Sequence, residues 1–134
     1  MSPEYLLDTN IVIYWFKGNK GIEDKVKEVG LEKIGIPFLV ACELYYGAFK
    51  SQRQKNNTDR LRELFLRIPI LSIQEPEAEL FGKIKAALEA RGKTADDADL
   101  LIASCALHLG ATLVTHNTRH FQGIPNLQIE DWLP

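Results

Sequence analysis

The chain has 134 residues, 46% hydrophobic and 25% charged, a balance that fits one globular domain with an ordinary core and excludes a disordered or fibrous polymer. No apolar run reaches the ~20 residues that cross a bilayer, and the N-terminus lacks the basic-then-apolar order of a signal peptide, so a cytoplasmic protein without membrane contact is expected. The net charge of −2 excludes a global attraction to nucleic acid; any such binding needs a local basic surface. Cys42 and Cys105 fall in apolar helical patterns and read as reduced core residues.

In chain order, Tyr5-Leu6-Leu7 is an apolar run that stops at Asp8-Thr9-Asn10, a buried strand followed by a helix from about Ile11 to Lys17. Ile22 to Leu31 is amphipathic, with Ile22, Val26 and Val29 on one side and Glu23, Lys27 and Glu28 on the other. Ile34-Gly35-Ile36 is a brief strand, and Pro37 suits the first turn of a helix running through Leu39, Val40, Glu43, Leu44 and Tyr46 toward Lys50. The polar, basic stretch Ser51 to Thr58 reads as an exposed bend, and Leu61, Leu64, Phe65 and Ile68 mark the next helix. Ile70 to Ile73 is a third strand; Glu75 to Ala90 is a helix with Leu80, Phe81, Ile84, Ala87 and Leu88 inward, ended by Gly92. Thr94 suits the N-cap of a helix that runs to Gly110. Ala111 to Thr115 and Leu127-Gln128-Ile129 are the last strands. With no repeat or linker, this alternation predicts a single α/β domain over 1–134, a mainly parallel sheet with helices on both faces.

Open parallel sheets bind ligands at the carboxyl ends of their strands. Asp8 ends the first strand, Asn117 follows the strand ending at Thr115, and Asp99 lies near the start of a helix that begins at the same edge. With Thr94 as N-cap, Asp99 falls in the second turn, and its helical neighbours are Ala95, Ile102 and Ala103; a lone carboxylate on such a face is costly unless neutralised, hydrogen-bonded or bound to a cation. Glu43 repeats the anomaly among Leu39, Val40 and Tyr46. Three converging acids repel unless one protonates or a divalent cation sits among them, and oxygen ligands suit Mg²⁺ or Mn²⁺. Each also has an ordinary reading: Asp8 as a helix cap, Glu43 snorkelling or paired with Lys50 or Arg53, Asp96 and Asp97 capping or solvated, with Asp97 the better helper of the site. His116 and His120 have i,i+4 spacing but no third ligand nearby, which argues against zinc.

Taken together, Leu6-Leu7-Asp8-Thr9-Asn10, Ala41-Cys42-Glu43-Leu44-Tyr45-Tyr46-Gly47-Ala48, Asp99-Leu100-Leu101-Ile102-Ala103 and Leu113 to Phe121, followed by Ile124-Pro125 and Asp131-Trp132, resemble the PIN-domain ribonucleases, and among them the VapC-type toxins of prokaryotic toxin–antitoxin pairs. The resemblance covers nearly the whole chain. It implies an α/β/α sandwich, Mg²⁺- or Mn²⁺-dependent RNA cleavage, a cognate antitoxin and a homodimer. The family's first three acids fall on Asp8, Glu43 and Asp99; the fourth acidic position matches Asn117, which brings no charge and argues against a second metal. Thr115 matches the hydroxyl residue near the metal, Pro37 stands where relatives often have Ser, and His120 where many have an acid. Arg119, Lys93, Arg91, Lys50 and Arg53 are candidates for the RNA backbone, and Tyr45, Tyr46, Phe49, Leu61 and Phe65 for a groove that receives the antitoxin.

Rival readings fit the residues less well. A phosphoacceptor receiver domain needs a second acid after the first strand, and its third strand here ends in Ser72-Ile73-Gln74-Glu75 without an acceptor Asp. A dehalogenase-type phosphatase needs Asp-x-Asp where this chain has Asp8-Thr9-Asn10. A catalytically weak PIN-like binding module stays open, because Asn117 thins the acidic set.

Overall fold

A computed structural model describes residues 2–133. Five short strands, β1 (Tyr5–Leu7), β2 (Ile34–Pro37), β3 (Ile70–Leu71), β4 (Thr112–Val114) and β5 (Ile129–Glu130), form one sheet in the order β3-β2-β1-β4-β5. Every pairing is parallel. Consecutive residues of the central strands are fully buried, among them Leu6, Leu7, Leu113 and Val114, as a sheet covered on both faces requires. Gly35 in β2 is packed so closely that an added Cβ lies 2.9 Å from the Leu71 side chain and 3.0 Å from Pro3.

Among the described residues, seven α-helices connect and cover the strands: α1 (Thr9–Phe16), α2 (Lys20–Val29), α3 (Phe38–Lys50), α4 (Gln54–Arg67), α5 (Glu75–Ala90), α6 (Asp97–Leu109) and α7 (Thr118–Phe121). The chain steps outward from β1 through β2 to β3, then crosses back to β4 on the other side of β1. Right-handed crossovers therefore put α1 to α4 on one face and α5 and α6 on the other. The strand order reverses between β1 and β4, and their carboxyl ends open a crevice there.

Several sequence expectations shift. The helix expected from Ile11 begins at Thr9, because Asp8 caps it by accepting from the Thr9 N–H. The bend expected over Ser51 to Thr58 is confined to 51–53; Gln54 to Thr58 is the first turn of α4, where the Thr58 hydroxyl donates back to the Gln54 carbonyl and is buried. The third strand stops at Leu71 and the last runs over Ile129–Glu130. Ala87 is exposed on α5, and Cys42 is exposed on the outer side of α3, while Cys105 is buried as expected. Burial raises the Cys105 thiol pKa to about 11, with the charge of Glu77 adding to the effect. Gly110 ends α6 in the left-handed conformation at φ 64°, the C-terminal stop its position suggested. Among the described residues no helix is long and apolar enough to cross a membrane.

Candidate active site

At the crevice, the Asp8 N–H donates to the Val114 carbonyl at 2.8 Å, tying the end of β1 to the end of β4. The Asp8 carboxylate is buried, and each oxygen accepts one hydrogen bond: Oδ1 from the Thr9 N–H at 2.9 Å and Oδ2 from the Thr115 hydroxyl at 2.8 Å. The same Thr115 oxygen accepts from the Asn117 N–H at 3.0 Å. Fully buried, Thr115 orients Asp8 and the Asn117 loop from beneath.

Asp8, Thr9, Asn10, Ile13, Glu43, Asp96, Asp99, Asn117 and His120 line one open cleft of about 520 Å³. Four expected site residues, Asp8, Glu43, Asp99 and Asn117, are thus brought together, with Thr115 behind them. Glu43 is not on a buried face: α3 presents it to solvent at the cleft, where Oε1 accepts from the Thr9 hydroxyl at 2.9 Å. Its other oxygen is left to the cleft.

The start of α6 differs from the sequence reading. Asp96, not Thr94, is the N-cap, accepting from the Ala98 and Asp99 N–H groups at 3.1 and 3.4 Å. Asp99 therefore lies in the first turn, where the helix dipole favours negative charge. Asp97 points away to an exposed ion pair with Lys85 at 3.0 Å, so Asp96 is the acid that joins the cleft. His120 Nδ1 lies 3.3 Å from Asp99 Oδ2. Burial holds the Asp99 carboxyl above its ordinary range; His120 opposes this, while the negative charges of Asp96, Asp8 and Glu43 add to it.

Thr9, Asn10 and Asp96 are site residues that sequence reasoning passed over. Thr9 and Asn10 lay in plain view beside Asp8, and Asp96 was hidden among three equally good capping residues. The basic candidates Arg91, Lys93, Arg119, Lys50 and Arg53 are all exposed, and none lines the cleft. Of the expected antitoxin-groove residues, Leu61 lines a neighbouring groove of about 300 Å³ with Ile13, Phe16, Lys17, Glu43, Leu44, Gly47, Ala48, Asn57 and Arg60. Tyr45 instead packs on Phe49 and Phe65, with ring centroids 6.4 and 5.7 Å apart, and Tyr46 stands exposed with Lys50 over its ring.

Among the described residues, no three His, Cys, Asp or Glu side chains form a group arranged to hold a metal ion. The carboxylates share the cleft but each turns to a protein partner: Asp8 to Thr115, Glu43 to Thr9, Asp99 to His120. The donor set still suits a hard divalent cation, with carboxylate and amide oxygens and no thiolate, and with burial and neighbouring carboxylates raising the Asp99 pKa in the absence of a cation.

Known proteins share this arrangement of sequence and fold. The PIN domain matches residues 5–126. Ribonuclease VapC2 of Rickettsia felis is 36% identical over 132 residues, 96% of this chain and 97% of that protein. The tRNA(fMet)-specific endonuclease VapC of Shigella flexneri is 33% identical over 129 residues, covering 96% and 98% of the two chains. The structure of VapBC-1 from nontypeable Haemophilus influenzae superposes with a TM-score of 0.86 at 36% identity, covering 97% of this chain and 98% of that one. Full-length likeness in sequence and fold, together with acids gathered at the switch point, leaves one assignment: the chain belongs to the PIN-domain family, in its VapC branch.

Proposed function

We propose that this chain is an endoribonuclease dependent on Mg²⁺ or Mn²⁺ and the toxin of a toxin–antitoxin pair, acting as a single-domain protein in the cytoplasm. The observation that carries the reading is the meeting of Asp8, Glu43, Asp99 and Asn117 in one cleft at the switch point of a sheet whose relatives are named as ribonucleases. The homodimer is carried over from the family resemblance.

Asp8 and Asp99 are the residues to hold a cation, with Asn117 able to orient a water or a phosphate oxygen. A bound divalent cation supplies positive charge to the scissile phosphate and makes water more acidic. The free Glu43 oxygen accepts a hydrogen bond from the attacking water and takes its proton as the new P–O bond forms and the bond to the leaving nucleotide breaks. Thr9 holds Glu43 for that role, and Thr115 holds Asp8. The exposed cations Arg119, Lys93, Arg91, Lys50 and Arg53, which lie outside the cleft lining, are assigned to the RNA backbone. The partner is an antitoxin, which the likeness to VapBC complexes supports; the acidic cleft suits a cationic side chain of that partner.

The test is RNA cleavage with and without divalent metal. Cleavage that needs Mg²⁺ or Mn²⁺ and vanishes in Asp8→Asn, with the fold intact by circular dichroism, is expected. An Asp8→Asn protein that cleaves like the wild type overturns the site.

A further inference from the structure

The cleft-lining acids repel phosphate, so RNA bound there gains from a source of affinity that does not depend on charge, beside the cation and the basic side chains. One stands beside the cleft. Tyr14 follows Ile13 and lies one helical turn beyond Asn10, two residues that line the cleft. Its ring is large, aromatic and 39% exposed. Tyr14 itself lines no part of the cleft, nor do the exposed Tyr46 and Phe49 of α3; what sets Tyr14 apart is its contact with His116.

Tyr14 is held in place from across the crevice. Its ring meets the His116 imidazole edge to face, with centroids 6.5 Å apart and planes at 78°. His116 is fixed in turn: its backbone N–H donates to Asn10 Oδ1 at 3.3 Å, and its Nδ1 donates to the Asp131 carboxylate at 2.9 Å. The Lys17 ammonium lies 5.8 Å from the Tyr14 centroid, a cation–π contact of an exposed, flexible side chain. Such a buttressed ring offers a π face at little ordering cost.

We propose that Tyr14, buttressed by His116, is the stacking platform for a nucleobase flanking the scissile phosphate. This rests on the ribonuclease reading above and deepens it. An incoming base displaces Lys17 from the ring, and the freed ammonium is then within reach of that nucleotide's phosphate. Stacking is tolerant of sequence because every base has a π face, and larger purines stack more strongly. The platform therefore selects unpaired bases, and purines over pyrimidines.

The test uses fluorescein-labelled decamers of adenylate and a matched abasic ribose-phosphate decamer, with anisotropy read in Ca²⁺ to slow hydrolysis. Tyr14→Leu keeps apolar bulk and loses the π face; Tyr14→Phe keeps both. Expected is a loss of roughly tenfold or more in Tyr14→Leu affinity for the adenylate decamer, the loss of one base stack. Tyr14→Phe binds it like the wild type, and all three bind the abasic decamer alike. In cleavage, Tyr14→Leu raises KM and leaves kcat largely intact. Equal weakening on both decamers, or no weakening in Tyr14→Leu, overturns the platform while leaving a wild type that cleaves RNA. A wild type that cleaves no RNA brings down the ribonuclease reading itself.

Discussion

Asp99 is the cleft acid whose ionisation the fold opposes. Desolvation is the main cause; the charge of His120 opposes it, and the repulsion from Asp96, Asp8 and Glu43 adds to it. A raised acid pKa means the folded protein holds its proton more tightly than the unfolded chain, whose Asp titrates near 3.8. Asp99 thus favours folding below that value, and the benefit is lost as pH rises through its folded pKa. At neutral pH, ionised Asp99 weakens the metal-free protein. Asp99→Asn should abolish cleavage yet melt higher at pH 7 in EDTA, by roughly 3–5 °C for each kcal/mol relieved. The gap should narrow as the pH falls toward 4, about the unfolded Asp pKa. The substitution also removes the contact with exposed His120, an ion pair only when that ring is protonated and worth too little to reverse the sign. Calorimetry across that pH range decides it; a variant that melts lower at pH 7 means the carboxylate is better accommodated than its surroundings imply.

The start of α6 shows how an element aims a site. Asp96 caps the helix and lines the cleft, so one residue fixes both where α6 begins and where Asp99 points. Asp96→Ala should cost about 1 kcal/mol of stability, as removal of an N-cap does, and should also depress cleavage. Asp97→Asn breaks only an exposed pair with Lys85 and should leave stability within about 0.5 kcal/mol and cleavage unchanged. Equal damage to cleavage in the two variants, read in parallel with their melting temperatures, defeats this division of labour. The sequence showed that a helix starts here but not at which residue, because Thr94, Asp96 and Asp97 are all competent caps and the loop geometry chooses among them. The same limit moved α4 forward: Gln54 to Thr58 looks like a loop by composition, and only back-bonding by Thr58 reveals a helical turn. Cys42 was misplaced for a related reason, since α3 carries apolar side chains on its exposed as well as its buried sides and its periodicity gives no clear inner face.

At the scale of the molecule, the alternation of strands and helices was enough to place Asp8, Asn117 and the α6 acids at one sheet edge, because parallel topology leaves few alternatives. The groove beside them was not legible. It depends on how α1, α3 and α4 cross, and that crossing packs Tyr45 against Phe49 and Phe65 and leaves Leu44, Gly47, Ala48 and Leu61 to line it. The groove shares Ile13 and Glu43 with the acidic cleft, so the two form one continuous surface with an apolar floor and an acidic end. Lys17 and Arg60 line the groove as well, and the Arg60 guanidinium is pinned over Phe16 at 4.3 Å with a hydrogen bond to the Phe16 carbonyl. An inhibitory segment fitted to this surface carries apolar anchors along the groove, an acid near Arg60, and an Arg that reaches the cleft and displaces metal. Gly47 allows the groove to be closed without touching the chemistry. An added Cβ there meets nothing within 4 Å, and helix interiors favour Leu over Gly by roughly 0.5–1 kcal/mol. Gly47→Leu should therefore fold at least as stably and cleave RNA normally, while binding the antitoxin roughly tenfold or more weakly, about 1.4 kcal/mol. Titrating antitoxin into a cleavage assay of both proteins separates the two effects. Undiminished inhibition of Gly47→Leu means that the antitoxin docks elsewhere, and equal loss of cleavage and inhibition means that the groove also carries RNA.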